Sequence, residues 1–186
     1  MQVLARIVGS KGRFALWLLV AFVVWQAVAF FCLPFYAEIL LPVAALAGQA
    51  GYGDALSFRD AYPRVAWTLE LASGPCKGSV ALRLLTYNLG LYLALWAALP
   101  RRRAVHLGGG VAALFVFQVC DLLLAVESRG LTCLGIDGLD PWALLIKFAH
   151  NFSVMGFKAA FPVLLLAGQW YLDYRRDPEL RGLHGA

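Results

Sequence analysis

Apolar stretches long enough to cross a lipid bilayer recur along this chain and constrain its fold more than any other feature. A membrane-spanning helix needs about 20 consecutive apolar residues, and four stretches reach that length, at about 14–34, 80–99, 105–126 and 152–172. The chain is 61% hydrophobic and 15% charged, whereas soluble domains are about 45–50% apolar and about 25% charged. A water-soluble enzyme and a disordered chain are therefore excluded. We expect an all-α membrane protein with four transmembrane helices, forming a single membrane domain over 1–186.

The basic residues indicate how these spans are oriented. With four spans, nine Lys and Arg residues near the span ends fall on one side: Arg6, Lys11, Arg13, Arg101, Arg102, Arg103, Arg175, Arg176 and Arg181. Since Lys and Arg concentrate in cytoplasmic loops, we expect both termini in the cytoplasm. The net charge of +5 then reflects topology and contact with anionic membrane lipids, and no nucleic-acid partner is expected.

Two segments, 35–79 and 127–147, are expected on the extracytoplasmic side. In the first, apolar residues 38–47 suggest a short helix at the membrane surface. Polar and apolar residues then alternate in 56–59 and 64–71, which predicts a β-hairpin with its turn between them. A lone hairpin is marginal in water, so it should rest on the membrane, on the second segment or on a partner. The second segment is rich in Gly and Asp, and we expect little regular structure there.

Cysteine positions fit this topology. Cys76 and Cys133 fall in the two outer segments, while Cys32 and Cys120 lie within spans. In an oxidising compartment a Cys76–Cys133 disulfide is expected; the alternative is a free thiol at Cys76. No pair of His or Cys has metal-ligand spacing, and no phosphate-binding pattern occurs, so we predict neither a metal site nor a cofactor.

Polar residues inside the predicted spans require an explanation, because they are costly in a bilayer. The ionisable ones are Arg83, Asp121 and Lys158, and Asn88 and Gln118 add hydrogen-bonding groups at similar depth. One acid between two bases would form a network that joins the helices, provided that every member is paired. Alternatively, the two bases extend separately to the lipid headgroups. A third interpretation is a polar pocket for a charged peptide terminus, a lipid headgroup or a partner's helix.

Two short stretches and the order of elements suggest a family. Residues 84–92 (LLTYNLGLY) enter the second span, and residues 115–121 (FVFQVCD) lie in the third. Together with a long apolar anchor, an outer segment with short strands and three further spans, they resemble the small exosortase-H-associated membrane proteins of bacteria. The resemblance implies a non-catalytic accessory or assembly subunit in the bacterial inner membrane. It would work with other membrane subunits at the extracytoplasmic face in protein sorting, and it brings no catalytic residues.

Two other functions stay open. Exosortases and archaeosortases are membrane transpeptidases that use Cys, Arg and His in that chain order, and Cys76, Arg129 and His150 occur here in the same order. A thiolate could be activated by the imidazole while the guanidinium stabilises the oxyanion. Two features depart from those enzymes. Cys76 lies in Gly-Pro-Cys-Lys-Gly rather than in their usual small-residue surroundings, and Arg129 falls in a predicted loop rather than on a helix. The composition also suits a small subunit of an energy-converting or transport complex.

Overall fold

The computed structural model describes residues 11–98, 104–136 and 140–176. The basic residues Arg6, Arg101, Arg102, Arg103 and Arg181 lie outside these ranges. The elements, in chain order, are α1 (Lys11–Tyr52), a 3₁₀ turn (Gly53–Ala55), β1 (Leu56–Ala61), β2 (Arg64–Leu71), β3 (Gly74–Ala81), α2 (Leu82–Ala98), α3 (Ala104–Cys133), α4 (Pro141–Phe152), a π-helical segment (Ser153–Phe157) and α5 (Lys158–Arg176).

Three stretches of the described chain are long and apolar enough to cross a membrane. They are Phe31–Ala55, Val105–Cys133 and Pro141–Asp173. The described part of α2, the helix of the expected second span, has 17 residues, which is fewer than the roughly 20 that a bilayer needs. The structure therefore gives a mostly helical chain with three candidate membrane-spanning stretches and a small sheet, rather than four clear spans.

The first helix is longer than the predicted span at 14–34. It continues through Pro34 and Pro42 to Tyr52, so the expected separate helix at 38–47 is wrong. Proline removes one backbone hydrogen bond from a helix, but apolar helices tolerate it where neighbouring elements pack around the gap.

That packing is visible along one face of α1. Leu33, Ala37, Leu40 and Ala44 are buried at helical spacing across both prolines. They join the core beneath the sheet, which also takes Leu85 of α2, Val119 and Leu122 of α3, and Val65, Trp67 and Leu69 of β2. Burial of this stripe explains why α1 does not end at its first proline.

The predicted hairpin is confirmed in β1 and β2. They pair antiparallel from Leu56 opposite Leu69 to Ala61 opposite Arg64. In the connecting turn Asp60 Oδ1 accepts a hydrogen bond from the Tyr62 backbone N–H at 3.0 Å, as Asp side chains commonly do in turns.

A third strand, β3, extends the hairpin into a three-stranded sheet of order β1-β2-β3. The prediction of a two-stranded hairpin is wrong because β3 carries Pro75 and Gly78, which disfavour strands. Both have a place here: proline is tolerated on an edge strand, and a Cβ at Gly78 would lie 2.2 Å from the ring of Trp67 on β2. Gly78 therefore makes room for a buried tryptophan.

The second outer segment is more regular than predicted. Helix α3 runs on to Cys133, and α4 begins at Pro141, so the expectation of little regular structure over 127–147 is wrong. Asp140 caps α4, its Oδ1 accepting from the Trp142 N–H at 2.9 Å. Residues 137–139 lie outside the described ranges. Most of the second outer segment is therefore helical in the described residues.

Candidate functional site

A buried ion pair lies between α3 and the start of α5. Lys158 Nζ is 2.5 Å from Asp121 Oδ2, and the Ser153 hydroxyl donates to Asp121 Oδ1 at 2.5 Å. All three residues are at most 5% exposed. We call Asp121, Ser153 and Lys158 the ion-pair cluster. Each carboxylate oxygen has a donor, so the charge of Asp121 is fully compensated.

The π-helical segment helps to build this cluster. The segment, Ser153–Phe157, lies between α4 and α5. The Lys158 backbone N–H donates a hydrogen bond to the Ser153 carbonyl, five residues earlier. Pro162, one turn further along α5 and fully buried, cannot donate to the Lys158 carbonyl. Wider turns of this kind re-aim side chains and are frequent at functional sites. Here the turn brings a serine and a lysine to the same carboxylate.

A second polar group lies one turn along α3 and joins three helices. The Tyr36 hydroxyl donates to Gln118 Oε1, and Gln118 Nε2 donates to Asn88 Oδ1 at 2.7 Å. Gln118 and Asn88 are completely buried. We call Tyr36, Asn88 and Gln118 the amide cluster. It ties α1, α2 and α3 together at a depth where water is scarce.

The predicted polar residues are thus divided. Asp121 and Lys158 form the ion pair, and Asn88 and Gln118 form a hydrogen bond beside it. Arg83 is exposed on the second residue of α2, so it does not share their burial. The expected arrangement of one acid between two buried bases is replaced by a single acid with one base and a serine.

An apolar cleft of about 410 Å³ opens beside the ion-pair cluster. Its walls come from α3, α4 and the π-helical segment, and Asp121 and Ser153 are its polar lining residues. His150 lies one helical turn before Ser153 and is half-buried. Its Nδ1 is buried without a hydrogen-bond partner among the described residues.

The cysteines bear on the transpeptidase hypothesis. Cys76 of β3 and Cys133 at the end of α3 form a disulfide, the pair predicted from the sequence, while Cys32 and Cys120 are free. Cys76 Sγ lies 3.7 Å from the Arg129 backbone carbonyl, and the Arg129 side chain is exposed. A sulfur held in a disulfide is not a nucleophile, so the Cys76, Arg129 and His150 set lacks its attacking group in this state.

Sequence reasoning missed a third polar group, at the end of the helices away from the sheet. The Tyr92 hydroxyl donates to the His106 carbonyl at 2.7 Å, Gln169 Nε2 donates to the same carbonyl at 2.9 Å, and His106 Nε2 lies 3.4 Å from Asp173 Oδ1. We call Tyr92, His106, Gln169 and Asp173 the tyrosine cluster. The signal in the sequence was the glycine run 108–110, and the structure shows its use, because a Cβ at Gly110 would lie 1.9 Å from the Tyr92 hydroxyl.

The chain matches no protein-family model, and neither a curated protein nor a solved structure is detectably similar to it. The functional argument therefore depends on the geometry of the chain itself.

Proposed function

We propose that this chain is a non-catalytic accessory or assembly subunit of a bacterial inner-membrane complex. In this proposal four spans place both termini in the cytoplasm, and α2 is the short second span. The sheet then lies on the extracytoplasmic side, where the subunit assists the sorting of exported proteins, as the resemblance to exosortase-H-associated proteins implies. Its partners are lipids and other membrane subunits.

The observation that carries this proposal is the Cys76–Cys133 disulfide. Structural disulfides persist in oxidising compartments and are rare in the cytoplasm, which supports an extracytoplasmic sheet. The bond fixes β3 to the end of α3, across a sequence separation of 57 residues. A small sheet held in this way is a rigid surface for contact with another protein. The disulfide also includes Cys76, the cysteine that the transpeptidase reaction would need as its nucleophile.

The charge distribution supports the same orientation. Lys11 and Arg13 begin α1, and Arg175 and Arg176 end α5, at the end of the bundle away from the sheet. Basic residues at that end favour a cytoplasmic position for it. Reporter fusions at Gly53, which precedes β1, and at Gly182 should therefore report opposite compartments. If both fusions report the same compartment, the four-span topology is wrong.

Co-purification tests the accessory role. The tagged chain is extracted in mild detergent after cross-linking, and the proteins that accompany it are identified. A variant with Cys76→Ala and Cys133→Ala, which lacks the disulfide, should lose those partners. A matched variant with Cys32→Ala and Cys120→Ala also lacks two cysteines and should keep them. A chain that purifies alone, or that processes a substrate peptide by itself, would contradict the proposal. Recovery with an energy-converting or transport complex would favour that alternative.

A further inference from the structure

The free edge of β1 is the feature of the sheet that remains without a role. In the order β1-β2-β3, strand β1 pairs with β2 on one side only. No backbone hydrogen bond from β1 to any other described element is present on the opposite side. Residues 59–61 are exposed, so the part of this edge near the turn is accessible, whereas Leu56 at its start is buried. Unpaired donors and acceptors on an edge strand form a template for another extended chain.

The charges on β1 indicate what kind of chain fits. Arg59 is exposed on the sheet face that points away from the core, and among the described residues it has no ion-pair partner. It faces Ala66 across the strands, which leaves its guanidinium uncovered. Asp60 points to the other face and accepts from the turn at Tyr62. Arg59 is therefore the one charged residue that β1 carries on the outward face, and the acid of that face, Glu70 of β2, lies beyond the residues of β2 that pair with β1.

The two other bases of this face are further from the edge. Arg64 of β2 leans towards β3, where its Nε donates to Ser79 Oγ at 3.0 Å. Lys77 of β3 lies opposite Thr68, which lies opposite Ser57 of β1. Strands are about 4.8 Å apart, so Lys77 is too distant to contact a chain beside β1. Arg59 is the base that such a chain would meet.

We propose that the β1 edge binds an extended acidic segment of a partner protein, which adds to the sheet as a fourth strand. The backbone of that segment pairs with the free edge, and a carboxylate directly opposite Arg59 supplies specificity. The residue before or after the acid faces the core side and lies beside half-buried Phe58, so an apolar side chain fits there. The disulfide holds the far strand, β3, and keeps the sheet rigid as the segment adds.

This inference deepens the proposed accessory function and rests on it for the identity of the partner as an exported or membrane protein. The binding event itself is testable on the purified chain in neutral-lipid nanodiscs, where both faces are accessible. The probe is a capped peptide of six residues, the length of β1, with Val and Thr around a central Glu. Matched peptides carry Gln or Lys instead of Glu, or methyl groups on alternate backbone amides.

The Glu peptide should bind and slow hydrogen exchange at the β1 amides. Arg59→Gln should weaken it roughly two- to fivefold, the usual effect of a cross-strand charge pair, whereas Lys77→Gln should change it little. Arg59→Glu should reverse the preference, so that the Lys peptide binds better than the Glu peptide. The methylated peptide should not bind, because it keeps the charge but cannot pair along the edge.

Three results would overturn the proposal. Equal binding of the methylated peptide would exclude strand addition, and equal effects of Arg59→Gln and Lys77→Gln would exclude the specific pair. If no peptide binds and Arg59→Gln instead reduces adhesion to vesicles of anionic lipid, the face recognises headgroups. Each of these can occur while the co-purifying partners are retained, so failure of the edge site is distinguishable from failure of the accessory role.

Discussion

The ion-pair cluster and the tyrosine cluster both place polar groups between apolar helices, but they do so with different chemistry. Asp121 and Lys158 carry full charges and are at most 5% exposed. The tyrosine cluster uses a hydroxyl, an amide and a backbone carbonyl, and its ionisable pair, His106 and Asp173, is 22% and 19% exposed. The charged pair of the ion-pair cluster is buried, whereas in the tyrosine cluster the ionisable pair is partly exposed and the completely buried residue is the neutral Tyr92.

This difference indicates where each cluster is vulnerable. A buried charge that loses its partner stays in a medium that cannot solvate it, and the penalty is large. A neutral donor that is removed leaves at most one unsatisfied acceptor, and here the His106 carbonyl keeps its bond from Gln169. We therefore expect a single substitution in the ion-pair cluster to lower the free energy of unfolding by a large amount. A single substitution in the tyrosine cluster should lower it by a small amount.

The largest effect is expected for Asp121→Asn. The substitution leaves the Lys158 ammonium buried without a counter-charge, and breaking a buried pair typically costs about 3–5 kcal/mol. The melting temperature in detergent should fall, and adding Lys158→Met should restore much of it.

The variant with both Asp121→Asn and Lys158→Met distinguishes a structural role of the ion-pair cluster from a role in binding. If the cluster only joins the helices, recovery of stability should also recover the co-purifying partners. If the cleft beside it holds a ligand or a partner's helix, Asp121→Asn should stay folded and lose that partner, and Lys158→Met should not bring it back. A single variant that melts normally and keeps its partners would contradict both roles.

A smaller effect is expected for Gly110→Ala at the tyrosine cluster. The new methyl group would lie 1.9 Å from the Tyr92 hydroxyl, and Tyr92 is completely buried, so the ring must shift. Overpacking of this kind costs about 1–3 kcal/mol, measured as a lower melting temperature in detergent. Gly109→Ala is the matched control, since no atom lies within 4 Å of a Cβ at that position. Equal effects of the two would show that the close approach of Gly110 to Tyr92 is unimportant.

The smallest effect is expected for Tyr92→Phe. It removes the hydroxyl that donates to the His106 carbonyl, at a cost of about 1 kcal/mol for a single hydrogen bond. Because the ring carbon Cζ, which phenylalanine keeps, would still lie 2.1 Å from a Cβ at position 110, Tyr92→Phe should relieve little of the damage done by Gly110→Ala. A double-mutant cycle on the melting temperature checks this. A loss as large as that of Asp121→Asn would remove the contrast between the two clusters.

Part of this arrangement is predictable from local pattern. Period-two alternation identifies β1 and β2, apolar length identifies the core of α3, and the outer positions of Cys76 and Cys133 identify the disulfide pair. Asp121 and Lys158 are recognisable because charges in apolar stretches need partners. In each case the signal is contained in the residue type and its immediate neighbours.

The remainder depends on contacts between distant parts of the chain. Glycine fits at position 78 of β3 because the Trp67 ring occupies the space that a side chain would fill. Helix α1 continues through Pro34 because its buried residues extend on both sides of that proline. The roles of Tyr36 and Ser153 follow from how the helices cross and from the π-helical turn before Lys158. No local pattern gives those geometries.

The central claim is that a disulfide holds the sheet on the extracytoplasmic side, and thiol labelling in intact cells tests it most directly. The experiment uses Cys32→Ser and Cys120→Ser, so that Cys76 and Cys133 are the remaining thiols, and a membrane-impermeant maleimide. We predict no labelling before a reductant is added and labelling of both cysteines afterwards, without permeabilising the cells. Ready labelling of Cys76 without reductant, or labelling that requires permeabilised cells, would contradict the account.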